Sequence, residues 1–180
     1  MNLPFFDSEE PVTVRNTGLR YGIILGLVSI AYFLLLVVSG VNTADGWGRW
    51  SSLLLNAGIL VLGQIYFRQN GDGYMSYGQG MGISFWMGAL SSFILSVFTY
   101  VYIKFIDSDF LLMMEDIQRA AMEERGMSDE QIDQAMEMVA KFSTPEWIFV
   151  FGVLGGIIGV LLVGLLVTIF TQKPNRSMPE

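Results

Sequence analysis

Long runs of apolar residues recur four times along the chain, separated by shorter polar segments. The runs cover about residues 21–41, 50–67, 81–106 and 147–170. A helix needs roughly 20 predominantly apolar residues to cross a hydrocarbon core of about 30 Å, and each run is close to that length or exceeds it. The pattern therefore predicts an all-α, polytopic membrane protein, in which residues 1–180 form a single domain with four transmembrane helices.

The polar segment between the third and fourth runs is predicted to form an acidic helical hairpin outside the membrane, over about residues 109–142. Asp109 is a candidate N-cap for its first helix. Gly126 is suited to end that helix at the C′ position. Ser128 and Gln131 have the spacing of a capping box, which predicts the start of a second helix.

The hairpin carries an apolar stripe that has two interpretations. The stripe either packs the two helices against each other, which is the commoner use of such a pattern, or it is a docking surface, because Met-rich faces adapt to varied shapes. The candidate docking residues are Ile117, Ala121, Met136, Val139, Glu123, Glu124 and Glu130. Calcium binding by the ten acidic residues between 107 and 145 is a third alternative, but the sequence has no D-x-D-x-D-G loop to favour it.

Small residues within the apolar runs predict close contacts between helices, within one chain or between chains. Glycines recur every fourth residue in the first run, and serines follow one face of the third. The candidate packing residues are Gly18, Gly22, Gly26, Gly78, Gly82, Gly152, Gly156, Ser84, Gly88, Ser91, Ser92 and Ser96. A polar permeation path along the serine face, with Asn56 and Gln64 of the second run nearby, is the alternative.

Composition narrows the chemistry that the chain can perform. Hydrophobic residues make up 52% of the chain and charged residues 15%, and Cys and His are both absent. This excludes disulfides, zinc or haem sites with Cys or His ligands, thiol nucleophiles and imidazole bases. The net charge of −7 argues against nucleic acid as a partner, because phosphate binding needs a basic face. We predict no cofactor and no metal; the expected partners are the lipid bilayer and either another membrane protein or further copies of the chain.

The orientation of the spans is predicted from the basic residues that flank them. These residues divide evenly between the two sides of the membrane, so their number alone decides nothing. On one side they lie on short flanks, where the positive-inside rule is strongest, whereas on the other most of them lie among the acidic residues of the hairpin. We therefore expect both termini to be cytoplasmic.

Three segments carry a resemblance to a known family. They are YMSYGQGMG at Tyr74 to Gly82, YVYIKFIDSDFL at Tyr100 to Leu111, and RGMSDEQIDQAMEM at Arg125 to Met138. The chain resembles, over nearly its whole length, the bacterial inner-membrane family known as domain of unknown function 4199. The resemblance implies the architecture and a bacterial inner-membrane location. No activity or catalytic residue is established for the family, so it implies no site.

The sequence favours a non-enzymatic role. We expect an accessory or scaffolding subunit that binds a membrane partner through its glycine faces and its hairpin, because packing surface is abundant and no catalytic constellation is evident. A small transporter or a lipid-handling protein is the alternative. Catalysis by carboxylates alone would draw on Asp107, Asp109, Glu115 and Asp116, but a solvated acidic face explains that cluster equally well.

Overall fold

The computed structural model describes residues 11–39, 46–107 and 109–174. These residues form six α-helices: α1 (Val14–Ser39), α2 (Gly46–Asn70), α3 (Tyr77–Val101), α4 (Phe110–Glu124), α5 (Asp129–Ala140) and α6 (Pro145–Thr171). A π-helical turn, Tyr102–Ile106, continues α3. The described part of the chain has no β-strand; its only sheet-like pairing is an antiparallel bridge between Met75 and Lys173.

Four of the helices are long and apolar enough to cross a membrane, which confirms the predicted fold class. The candidate spans are Val14–Ser39, Trp50–Asn70, Tyr77–Ile106 and Pro145–Thr171. All four helices begin before the apolar runs that predicted them, and α2 and α6 also end after their runs, whereas the π-helical turn that continues α3 ends at residue 106, as its run does. The last two residues of the first predicted span, 40 and 41, lie outside the described residues.

Helix α3 is central to the bundle. It makes extensive contacts with α1 on one side and with α6 on the other, whereas α2 packs mainly against α1 and α6. A buried apolar cluster contains one residue from each span, namely Leu25, Leu60, Met87 and Val160. All four spans therefore contribute to this cluster.

Small residues at every fourth position of α3 meet their counterparts at every fourth position of α6, in antiparallel order. The pairs are Gly80 with Thr168, Ser84 with Gly164, Gly88 with Val160, Ser92 with Gly156, and Ser96 with Gly152. A Cβ atom added to Gly164 or to Gly156 would lie 2.7 Å from the Cβ of the facing serine, closer than real Cβ atoms approach. We call this set of pairs the α3–α6 ladder. Small side chains let the two backbones approach each other closely.

The glycines of α1 lie against the opposite side of α3, in parallel order. Cβ atoms added to Gly18, Gly22 and Gly26 would lie 2.6, 3.1 and 3.0 Å from the Cβ atoms of Trp86, Leu90 and Ile94. These three glycines, which the sequence singles out by their spacing, are thus positions where α1 approaches α3 closely.

The other candidate packing residues divide into two groups. Ser91 is buried and donates a hydrogen bond to the Gly88 carbonyl oxygen at 3.3 Å, and a Cβ at Gly82 would lie 2.7 Å from Val14 Cγ1. Gly78 differs, because the space beside it is open within 4 Å. Helix α3 presents Gly80, two residues further on, to α6 instead.

Substitutions at two neighbouring glycines of α6 can test the close packing of the α3–α6 ladder. Gly156→Ala places a methyl group against Ser92, whereas Gly155→Ala places it in open space. Overpacking typically costs about 1–3 kcal/mol, so we expect Gly156→Ala to lower the free energy of unfolding in detergent by that amount. Gly155→Ala, which has the same helix propensity gain, should leave it unchanged or raise it slightly.

The measurement is a denaturation curve followed by circular dichroism on both purified variants. Equal stabilities for the two variants would contradict the close approach of α3 and α6 at Ser92.

Candidate functional site

Helices α4 and α5 contact each other and connect α3 to α6, in the segment where the sequence predicts the acidic hairpin. The turn between them begins at Gly126, which has a φ of +76°. Its N–H donates to the Glu123 carbonyl oxygen at 2.9 Å, and the Met127 N–H donates to that of Met122 at 3.2 Å. These bonds form a Schellman motif, so Gly126 ends α4 at the C′ position as predicted.

The start of α5 also follows the sequence, whereas the start of α4 does not. The Ser128 hydroxyl accepts from the Gln131 N–H, and the Gln131 side chain accepts from the Ser128 N–H at 3.0 Å, which confirms the capping box. The prediction that Asp109 caps α4 with its side chain is wrong, because Asp109 makes no such bond. Its backbone is already helical (φ −76°, ψ −14°), whereas a side-chain cap needs an extended residue.

The candidate docking residues of the apolar stripe are turned inward. Met136 is 8% exposed, and Ile117, Ala121 and Val139 are half-buried. An ion pair between Arg119 and Asp133, 2.8 Å long and exposed to solvent, also joins the two helices. Met136 is thus covered by its neighbours, whereas the other three residues keep part of their surface exposed.

The candidate docking carboxylates are, by contrast, on the surface. Glu123, Glu124 and Glu130 flank the turn at the far end of the pair, and all three are exposed. None of them forms an ion pair with another of the described residues. We call these three residues the tip carboxylates.

Aromatic side chains attach the α4–α5 pair to the spans at both of its ends. The Phe110 ring at the start of α4 lies 5.7 Å from the Phe33 ring of α1 and 5.9 Å from the Tyr102 ring. After α5, the Phe142 ring lies 5.7 Å from Trp147 and 6.1 Å from Phe151 of α6. These contacts cannot be predicted from the sequence, since no local spacing joins Phe33 to Phe110.

A second polar feature lies inside the bundle, around Gln64 of α2. Its Nε2 atom lies 3.2 Å from the Gly80 carbonyl oxygen, 3.4 Å from Ser84 Oγ and 2.9 Å from Thr168 Oγ1. Its Oε1 atom accepts from the Thr171 hydroxyl. Both polar atoms of this fully buried side chain have partners, so the cluster cross-links α2, α3 and α6.

The described residues offer little support for a metal site or for a polar path along α3. They contain no group of three or more acidic side chains close enough to hold a metal ion. Of the serines that would line the alternative permeation path, Ser84, Ser92 and Ser96 face glycines of α6 in the ladder. Asn56, the other polar residue considered for the path, donates to the Ser52 carbonyl oxygen of its own helix at 2.7 Å.

Four long apolar helices with small-residue contacts define a multi-pass membrane protein with a helical bundle. A family model described as "Protein of unknown function (DUF4199)" matches residues 20–173, and the chain belongs to this family. No curated protein and no solved structure matches the chain. The family match extends over all four spans and the α4–α5 pair, and it brings no function with it.

The Gln64 cluster can be tested with two substitutions in α2. Gln64→Leu removes the hydrogen bonds that join α2 to Ser84, Thr168 and Thr171, whereas Asn56→Leu removes only a bond within α2. Hydrogen bonds between membrane helices contribute about 0.6 kcal/mol on average and about 1.7 at most. With several bonds lost, we expect Gln64→Leu to destabilise the protein in detergent by about 1–3 kcal/mol, measured by denaturant titration. A loss as large in Asn56→Leu would refute this role for Gln64.

The aromatic attachment of α4 predicts a difference in protease resistance. Phe110→Ala removes the ring contacts with Phe33 and Tyr102, and we expect it to speed limited proteolysis near Gly126 severalfold, because α4 opens more often from the bundle. Leu112→Ala alters an exposed residue of the same helix, and this variant should be cleaved at the wild-type rate. Cleavage at equal rates in both variants would argue against the attachment.

Proposed function

We propose that the protein is an accessory or scaffolding subunit of a membrane assembly, and that it binds a basic partner through the tip carboxylates. The observation that carries this proposal is that these three carboxylates are exposed and form no ion pair with other described residues. The partner is expected to be a membrane protein with Lys or Arg side chains at the same height above the bilayer.

The packing of the spans supports a role outside the bundle. Ser84, Ser92 and Ser96 of α3 contact α6, and the polar atoms of Gln64 are satisfied within the protein. The interior that a small transporter would use is thus occupied by contacts that stabilise the bundle. The surface of the α4–α5 pair remains available for binding.

Charge supports the chemical nature of the partner. The segment from 107 to 145 holds ten acidic residues against three basic ones, and the whole chain has a net charge of −7. A negative patch attracts a complementary basic surface, repels acidic partners, and raises the association rate in a way that depends on salt. The half-buried stripe residues would then maintain the shape of the pair, with the tip carboxylates making the contact.

The proposal includes a bacterial inner-membrane location with both termini in the cytoplasm. Arg15, Arg68 and Lys173 lie near the ends of α1, α2 and α6 that share one side of the bundle, where Arg68 Nη1 also donates to the Thr171 carbonyl oxygen at 2.8 Å. Basic residues close to span ends favour the cytoplasmic side. The α4–α5 pair would then lie in the periplasm.

Charge reversal at the tip tests the proposal. We expect Glu123→Lys combined with Glu130→Lys to abolish stoichiometric co-purification of a membrane partner in mild detergent, because the new charges repel a basic surface. For the unaltered protein, the partner should dissociate as ionic strength rises, since salt screens exposed charges. The measurement is quantitative mass spectrometry of the complex purified at native expression level.

The matched control reverses two exposed charges on the same helices away from the tip. Asp116→Lys combined with Glu137→Lys changes the net charge by the same amount, and it should retain the partner. Loss of the partner in both double variants would assign binding to overall charge and not to the tip. Detection of no partner in several mild detergents would refute the accessory role.

A further inference from the structure

An apolar groove lies at the base of the α4–α5 pair, where the pair meets the start of α6. Its volume is about 610 Å³, and its lining includes Leu111, Met114, Val139, Phe142, Ile148 and Phe151. Pockets that enclose small ligands have volumes of about 300–1,000 Å³ and mostly apolar walls. We propose that this groove binds the acyl chain of a bilayer phospholipid.

The groove is held open by contacts at its two ends. Phe110 fixes the start of α4 against α1 and the π-helical turn, and Phe142 fixes the end of α5 against α6. The helices between these points do not close over the lining, so apolar side chains such as Phe151 remain 51% exposed. Exposed apolar surface of this kind is stabilised by an apolar occupant.

Continuity with the lipid-facing surface identifies that occupant. Phe151 is followed on the same face of α6 by Leu154 and Ile158, which are 53% and 57% exposed. No charged residue occurs in the chain between 147 and 171, so nothing polar separates the groove from the part of α6 that lies in the bilayer. An acyl chain can therefore enter from the membrane without crossing water.

The charge of the groove lining restricts which phospholipid headgroups can lie beside the groove. Glu115 is the one charged residue of the groove lining, and it lies in the acidic segment of the chain. An anionic headgroup would be repelled by this surface, whereas a zwitterionic headgroup such as that of phosphatidylcholine would not. The groove and the tip carboxylates involve different residues, so this proposal is independent of the accessory role.

The test is photolabelling of the full chain in phosphatidylcholine vesicles that contain a phospholipid with a photoactivatable group on its acyl chain. Labelled residues are identified by mass spectrometry of peptides. We expect labelling around Met114 and Val139 in addition to the background labelling along the outer face of α6. The background serves as an internal reference, because it does not depend on the groove.

Two adjacent methionines give a matched pair of variants. Met114→Trp fills the groove and should reduce its labelling severalfold relative to the α6 background. Met113→Trp introduces the same side chain at a position that is 46% exposed and outside the lining, and it should be labelled like the wild type. Val139→Trp fills the groove from α5 and gives the same expected loss if Met114→Trp does not fold.

Three results would overturn the proposal. They are equal groove labelling in the wild type and in a folded groove-filling variant, labelling confined to the outer face of the spans, and crosslinking of the groove residues to a second copy of the chain or to another protein. None of these results bears on the salt-dependent partner of the tip carboxylates, so the two proposals fail separately.

Discussion

The close approach of α3 to its neighbours is the constraint on which the rest of the structure depends. Between helices in lipid, the hydrophobic effect contributes little, so association rests on van der Waals contact and on hydrogen bonds. Small residues at every fourth position make the contact on both sides of α3. On one side, serines and glycines of α3 face α6. On the other side, glycines of α1 pack against larger side chains of α3. A larger residue in the ladder would separate α3 from α6 and weaken the shared core around Met87.

This constraint also explains why polar residues inside the spans do not imply a path for solutes. The Ser84 hydroxyl donates to the Gly80 carbonyl oxygen of its own helix at 2.9 Å, so the serine serves as a small residue whose polar group is already satisfied. Gln64, by contrast, makes its hydrogen bonds to other helices. It lies at the end of the ladder where Gly80, Ser84 and Thr168 meet. There it joins α2 to α3 and α6. Apart from this cluster, α2 contacts these two helices less extensively than they contact each other.

The sequence predicts most of the fold and little of the candidate site, for a physical reason. Apolar length, caps and turns are local properties, and so the four spans, the Gly126 turn and the Ser128 capping box follow from residues near one another in the chain. Contacts between distant elements depend on how each helix is rotated, which is why Gly80 and not Gly78 faces α6. Thr168 and Thr171 lie in an uncharged apolar run whose pattern gives no sign of their partner, Gln64. Asp109 shows the opposite case, since this favourable cap residue has a helical backbone and makes no side-chain cap bond.

The division of the molecule into a closed bundle and an attached helical pair limits where its function can lie. In the described residues, the bundle uses its small and polar side chains for its own cohesion, whereas the α4–α5 pair leaves both apolar and acidic surface uncovered. These two surfaces lie at opposite ends of the pair: the groove is at the base near α6, and the carboxylates are at the turn. Because α4 and α5 are fixed to the spans by aromatic contacts at their bases, an occupant of the groove would stiffen the base of the pair and thereby hold the tip at a defined height. A lipid at the base and a partner at the tip would therefore be compatible roles for the α4–α5 pair.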